Sequence, residues 1–132
     1  MERDEGVEEV DPKSRRVVHS FSVDGAIAVA AGEGAVWVLA KDGMLTVIDP
    51  RAGRTVDTKR VGEGIGECRF LSGAASPGSI AVGAGAVWVP DGATGNLYLI
   101  NPSSHDVSVA AVVGTCPLGI AVGDGAVWVA RR

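Results

Sequence analysis

Residues 120–129 read Ile120-Ala121-Val122-Gly123-Asp124-Gly125-Ala126-Val127-Trp128-Val129, and near-copies of this stretch occupy residues 80–89 and 29–38. In each copy two short apolar runs flank a Gly-x-Gly turn, whose glycines supply the positive φ that tight hairpins need. Because side chains alternate along a strand, the Trp of the second run faces one side and its two Val neighbours face the other. Each copy is therefore predicted to be a β-hairpin. Its Trp (Trp37, Trp88 or Trp128) is expected to pack between neighbouring units, with a ring of aromatic ligand contacts as the alternative.

A second motif alternates with the first along the chain. Its copies are Val10-Asp11-Pro12, Ile48-Asp49-Pro50 and Ile100-Asn101-Pro102. An apolar run precedes each copy and a polar turn follows it, because Pro cannot donate to a strand ladder and Asp or Asn favours a turn. Together the two motifs predict a unit of four strands, A to D. Trp128 follows Trp88 by 40 residues, a repeat length typical of β-propeller blades.

The order of the motifs predicts an all-β fold, a β-propeller of four-stranded antiparallel blades in the order C-D, A-B-C-D, A-B-C-D, A-B. Within a single segment 1–132, the predicted parts are a C-D half-blade (1–25), a full blade (26–62), an inter-blade loop (63–76), a full blade (77–114) and an A-B half-blade (115–132). Three blades do not close a ring, since propellers have about four to eight. We therefore expect a six-bladed C2 homodimer, in which each chain lends its A-B half to the other's C-D half. A fragment of a longer propeller chain is the alternative.

Composition limits the partners of the chain. Apolar residues make up 46% of it, charged residues 21%, and the net charge is −4 without a long basic run. Because nucleic-acid binding needs a dense cationic face, we expect no nucleic-acid partner. No segment reaches the roughly 18 consecutive apolar residues of a membrane helix, so no membrane partner is expected. The first residues lack the apolar core of a signal peptide, and the compartment stays undetermined.

The segment Pro117–Val129, together with Gly43–Pro50 and its second copy Gly95–Pro102, resembles the blades of bacterial propellers of the virginiamycin B lyase-like and NHL-like kind. The resemblance covers nearly the whole chain and implies the propeller fold. Such propellers include lyases, sensor domains and domains appended to regulators, and fold does not fix function.

The lyase activity of that family relies on a His as general acid/base and on acidic groups that hold magnesium. His19 falls in a D strand and His105 in a C–D turn, and neither matches a motif that transfers the role. We therefore predict no catalytic residue, no metal ligand and no cofactor. The function expected is a non-catalytic scaffold or a binding and interaction module. The alternatives are a streptogramin-lyase-like enzyme, which is a carbon–oxygen lyase, or an inactive fragment of a longer propeller.

A ligand site, if the module has one, is expected on the face that the D–A and B–C loops share, because loops carry function more often than strands. The ligand would be a small molecule or a protein. The candidate residues are Glu63, Glu67, Arg69 and Phe70 of the extra inter-blade loop and Asp42 and Asp91 of the B–C loops. The alternatives are a tolerated surface insertion for the loop and solvated turn residues for the two Asp.

Cys68 and Cys116 both fall in D–A loops, and therefore on the same face. A disulfide between them would stabilise the fold by up to about 4 kcal/mol in the chain-entropy model. It would also imply an oxidising, extracytoplasmic compartment. Two free thiols are the alternative.

Overall fold

A computed structural model of the protein describes residues 5–62, 65, 79–113 and 117–131. The strands of these ranges are β1 (Gly6–Asp11), β2 (Arg16–Ser22), β3 (Ala26–Gly32), β4 (Ala35–Ala40), β5 (Met44–Asp49), β6 (Arg54–Arg60), β7 (Ala81–Gly83), β8 (Ala86–Pro90), β9 (Asn96–Ile100), β10 (Val107–Val112), β11 (Pro117–Gly123) and β12 (Ala126–Arg131). The predicted all-β class is confirmed. Within the same ranges no helix is long and apolar enough to cross a membrane.

The strands form antiparallel sheets, and within each sheet the strands pair in chain order. Strands β3–β6 make one four-stranded sheet and β7–β10 a second, so the predicted four-stranded antiparallel sheets are confirmed. Strands β1–β2 and β11–β12 each make a two-stranded sheet. Neighbouring sheets meet along β3, β7 and β11, the first strands of their sheets. The predicted inter-blade loop 63–76 lies outside the described residues except for Ile65.

In the Gly-x-Gly turns the middle residue, and not the second glycine alone, adopts positive φ. In the β3–β4 turn both central residues have positive φ, 52° at Glu33 and 83° at Gly34, and the two later copies do the same at Ala84 and Asp124. Positive φ at both positions defines the type I′ turn, whose twist matches that of the flanking strands. Strand pairing therefore holds even Ala84, a residue that rarely adopts this conformation, in the left-handed region.

The Asp/Asn-Pro motifs form the turns between the third and fourth strands of each unit. Asp49 Oδ1 accepts hydrogen bonds from the backbone N–H groups of Arg51 (2.9 Å) and Ala52 (3.3 Å). Asn101 Oδ1 does the same in the later copy, and Asp11 Oδ1 accepts from Lys13 N–H. The side chain thus satisfies donors that the strand ladder leaves free, which is the physical reason for Asp or Asn at this position.

The main core lies between the two four-stranded sheets. Trp37, Leu39, Leu45 and Val47 of β3–β6 pack against Ile80, Val87, Val89 and Ile100 of the next unit. A smaller cluster, Val38, Ile48 and Val23 with Val7 and Phe21, joins the opposite face of β3–β6 to β1–β2. Trp37 and Val38 therefore face opposite sides of β4, as the alternation predicts, and the packing role predicted for Trp is confirmed at Trp37.

Candidate functional site

The predicted ligand face begins where β6 ends, beside the loop between β8 and β9. Val61 N–H donates to the Gly43 carbonyl (2.8 Å), which ties the end of β6 to the loop before β5. At Gly62 a Cβ atom would lie 2.9 Å from Asp91 Oδ2 and 2.9 Å from Tyr98 Cε2. A glycine thus permits the chain to leave one sheet in close contact with the loop of the next. The B–C loops and the start of the D–A connection lie together on this face.

Asp91 is buried on this face, with 1% of its surface exposed. Its Oδ1 accepts hydrogen bonds from Ala93 N–H (2.8 Å) and Thr94 N–H (3.1 Å), and the Tyr98 hydroxyl donates to Oδ2 (3.4 Å). Both carboxylate oxygens therefore have donors within the protein. The geometry gives Asp91 a role in holding the β8–β9 loop, and ligand binding by Asp91 stays a prediction.

Asp42, which lies in the corresponding loop of the preceding sheet, between β4 and β5, is exposed. Its Oδ1 accepts a hydrogen bond from Met44 N–H (3.0 Å), and its carbonyl accepts one from the Arg60 guanidinium (3.0 Å). Among the described residues, no hydrogen bond to its second carboxylate oxygen is present. Asp42 is thus better placed than Asp91 to contact a ligand, and its binding role also stays a prediction.

The other predicted site residues lie outside the described residues. These are Glu63, Glu67, Arg69 and Phe70, and the same holds for Cys68 and Cys116, whose disulfide stays a prediction. Ile65, from the same loop, is described and fully buried in the core between the two four-stranded sheets. The loop is therefore anchored to the core near its start. Among the described side chains, no three His, Cys, Asp or Glu residues cluster as metal ligands.

Both histidines are paired with carboxylates. His19 in β2 is exposed and lies 2.9 Å (Nδ1) from Glu9 Oε1. His105, in the turn between β9 and β10, lies 2.7 Å (Nδ1) from Asp57 Oδ2 of the preceding sheet. Its ring stands edge-on to Trp37, with the ring centroids 5.6 Å apart at 89°. His105 thus links two neighbouring sheets.

The hydrogen bond from His105 lowers the pKa of Asp57 below its ordinary value, with a smaller contribution from Thr58 N–H and the nearby charges. The sequence did not predict this pair. His105 has φ 65° at the turn position where the two earlier copies have Arg15 with φ 61° and Gly53 with φ 69°, so the turn itself gives no signal for the pair.

An apolar groove lies on the face of β3–β6 that is turned toward β1–β2. Its volume is about 780 Å³. We call it the β3 groove, and its lining includes Val7, Glu9, Phe21, Val29, Ala31 and Val36. The inner part of this face, at Val29 and Ala31, is exposed, whereas the outer part at Val38 and Ile48 is covered by β1–β2.

No family model matches the chain, and no curated protein matches it. Several solved structures do match the chain. The crystal structure of AztD from Citrobacter koseri matches with a TM-score of 0.65 at 18% identity, over 85% of this chain and 31% of that one. The crystal structure of Sqt1 from Saccharomyces cerevisiae matches with a TM-score of 0.64 at 16% identity, over 88% of this chain and 35% of that one.

A glutaminyl cyclase from Myxococcus xanthus matches with a TM-score of 0.56 at 14% identity, over 87% of this chain and 54% of that one. The chain therefore spans about a third to a half of the length of these structures. AztD and Sqt1 are β-propeller-like proteins. At these identities the likeness shows the fold alone, and the fold of this chain is β-propeller-like.

Proposed function

We propose that the chain forms half of a six-bladed β-propeller ring, and that this ring is a non-catalytic binding or interaction module. The chain would contribute three blades' worth of strands, two of them complete. The observation that carries the proposal is the pair of two-stranded sheets, β1–β2 and β11–β12, that flank the complete ones. A two-stranded sheet is marginal alone, and a further pair of strands would complete each of them.

The two incomplete sheets have complementary positions in the repeat. In β11–β12, Trp128 Nε1 donates to the Gly123 carbonyl at 3.0 Å, as Trp37 Nε1 does to the Gly32 carbonyl in β3–β4. In β1–β2, Asp11 caps its turn as Asp49 does in β5–β6. Strands β11–β12 are thus equivalent to strands A and B, and strands β1–β2 to strands C and D. One copy's β11–β12 and another's β1–β2 would make one four-stranded blade.

The ligand site of the module would lie on the face that carries Asp42, Gly62 and Asp91. In support, the connection that follows Gly62 interrupts the repeat and begins in contact with the β8–β9 loop. Such an interruption on a rigid sheet scaffold is where binding residues are commonly found. The ligand would be a small molecule or a protein segment, held by loop groups such as the exposed Asp42 carboxylate.

Ring closure is tested by the mass of the protein in solution, measured by light scattering behind a sizing column. We expect about twice the chain mass of 13.4 kDa, independent of added ligand, because closure needs only strand pairing and packing. A mass of one chain at all concentrations would overturn closure by a second copy and would favour a fragment of a longer propeller.

The non-catalytic part of the proposal is tested separately with virginiamycin B and Mg²⁺. We expect the antibiotic to remain intact after prolonged incubation with the dimer, because the two histidines of the chain are engaged with Glu9 and Asp57, away from the ligand face. Mass spectrometry distinguishes the cyclic compound from its linearised product. Enzyme-dependent linearisation would overturn the module proposal in favour of a streptogramin-lyase-like enzyme.

A further inference from the structure

We propose that Trp128 of one copy seats in the β3 groove of a second copy, with β12 paired antiparallel to β1 of that copy so that Trp128 lies opposite Glu9. The inference rests on the proposed ring and adds the surface and the strand register that would hold it together.

Three tryptophans at equivalent repeat positions are covered to different extents. Trp37, Trp88 and Trp128 each donate Nε1–H to the carbonyl of the glycine five residues earlier, at 3.0 Å in every case. Their local structure is therefore the same. Yet Trp37 is 0% exposed, Trp88 is half-buried and Trp128 is 60% exposed. The difference follows from their neighbours, because Trp37 faces a complete sheet, Trp88 faces β11–β12, and no described strand covers Trp128.

The β3 groove is lined by residues at the same repeat positions as part of the core into which Trp37 packs. That part of the core includes Ile80 and Val87, with Val82 packed against it. The residues at the same repeat positions are Val29, Ala31 and Val36, and all three line the β3 groove. The groove therefore offers Trp128 the environment that the second four-stranded sheet offers Trp37. Large aromatic side chains inserted in such pockets are typical anchors of stable interfaces.

Glycines at one repeat position permit close contact between neighbouring sheets, and one of these glycines has no neighbour in the described chain. A Cβ at Gly32 would lie 2.8 Å from Val82 Cγ1, and one at Gly83 would lie 2.8 Å from Val122 Cγ1, so glycine permits the sheets to meet. Gly123 has the same place in its hairpin, and nothing lies within 4 Å of its Cβ position. The equivalent partner is Ala31 of a second copy, which lines the groove.

The register follows from the two complete sheets. There Trp37 pairs with Val47 and Trp88 with Leu99, one residue before the Ile of each Ile-Asp/Asn-Pro motif. The equivalent residue of β1 is Glu9, so Trp128 lies opposite Glu9 and Val129 opposite Glu8. In the described chain the edge of β12 away from β11 and the edge of β1 away from β2 have no strand partner. Both edges are thus available to this pairing.

The surface is tested by Trp128→Ser, with Val112→Ser as the matched control. Val112 is also exposed (76%) but lies in β10, the outer strand of a complete sheet. We expect Trp128→Ser to raise the dimer dissociation constant by about 30-fold or more, as loss of an anchor residue does. Val112→Ser should leave it within about twofold, the range of surface changes. If the wild type is a dimer and the two variants have equal dimer dissociation constants, the inference about Trp128 is overturned and the proposed ring is not. A monomeric wild type would overturn the proposed ring itself.

The register is tested by disulfide cross-linking in a Cys68→Ser/Cys116→Ser background. Glu8→Cys with Val129→Cys places two cysteines opposite each other, within disulfide reach. Glu8→Cys with Val127→Cys is the control, because diagonal positions lie about 7–8 Å apart and exceed that reach. We expect covalent dimers on oxidation for the first pair and little for the second. Equal yields, or the reverse order, would overturn the register.

Discussion

Replacing Trp37 with Ala is expected to lower the free energy of unfolding by about 3–5 kcal/mol, the usual cost of truncating a fully buried aromatic side chain. Trp37 contacts both four-stranded sheets through the main core, and its ring also meets His105 at the edge of the interface. The substitution leaves a cavity between the sheets, which weakens the contact that holds consecutive sheets together. It also removes the hydrogen bond from Trp37 Nε1 to the Gly32 carbonyl within the β3–β4 hairpin.

The matched control is Trp128→Ala, the same change at the equivalent position. Because Trp128 is mostly exposed within one chain, its truncation should cost the isolated chain less than about 1 kcal/mol. Urea unfolding of both variants is compared at protein concentrations low enough for both to be monomeric. An equal decrease in the free energy of unfolding for both variants would contradict this expectation, which depends on Trp37 being buried and Trp128 being exposed.

The second large effect concerns two truncated chains, one lacking residues 1–23 and the other lacking residues 117–132. The first keeps β11–β12 and loses β1–β2, and the second does the opposite. If the shared blade forms by strand exchange, neither truncated chain can pair with itself. Mixed together they should form a 1:1 complex, because one supplies the A-B half and the other the C-D half of a single blade.

Light scattering measures each truncated chain alone and then the equimolar mixture, and circular dichroism verifies that each retains β structure. Loss of the dimer in each separate sample and its return in the mixture is the expected pattern. A chain without residues 1–23 that keeps the mass of the full-length protein would contradict strand exchange.

Much of the fold could be predicted from the sequence because its determinants are local and repeated. The alternation around Trp37 placed Val38 on the opposite face, and the two side chains do lie in different core clusters. The Asp and Asn residues before Pro were expected at turns, where their side chains accept backbone hydrogen bonds. Each of these features depends on residues a few positions apart.

The candidate site was harder to predict because its features depend on contacts between sheets. Asp42 and Asp91 look alike in the sequence, but Gly62 and Tyr98 cover only Asp91. Asp57 and His105 are 48 residues apart and meet across a sheet interface, which no periodicity reveals. The positive φ of Glu33 follows from the twist of its hairpin, and no property of the residue itself favours it.

The contact between Asp57 and His105 makes one sheet interface acid-sensitive. Because the folded state lowers the pKa of Asp57, this carboxylate stabilises the fold fully above its ordinary pKa, and the contribution fades as the pH falls through the lowered value. At the turn position of His105 the preceding repeat has Gly53, which has no imidazole to offer. The junction between the two complete sheets is therefore expected to weaken as the pH falls.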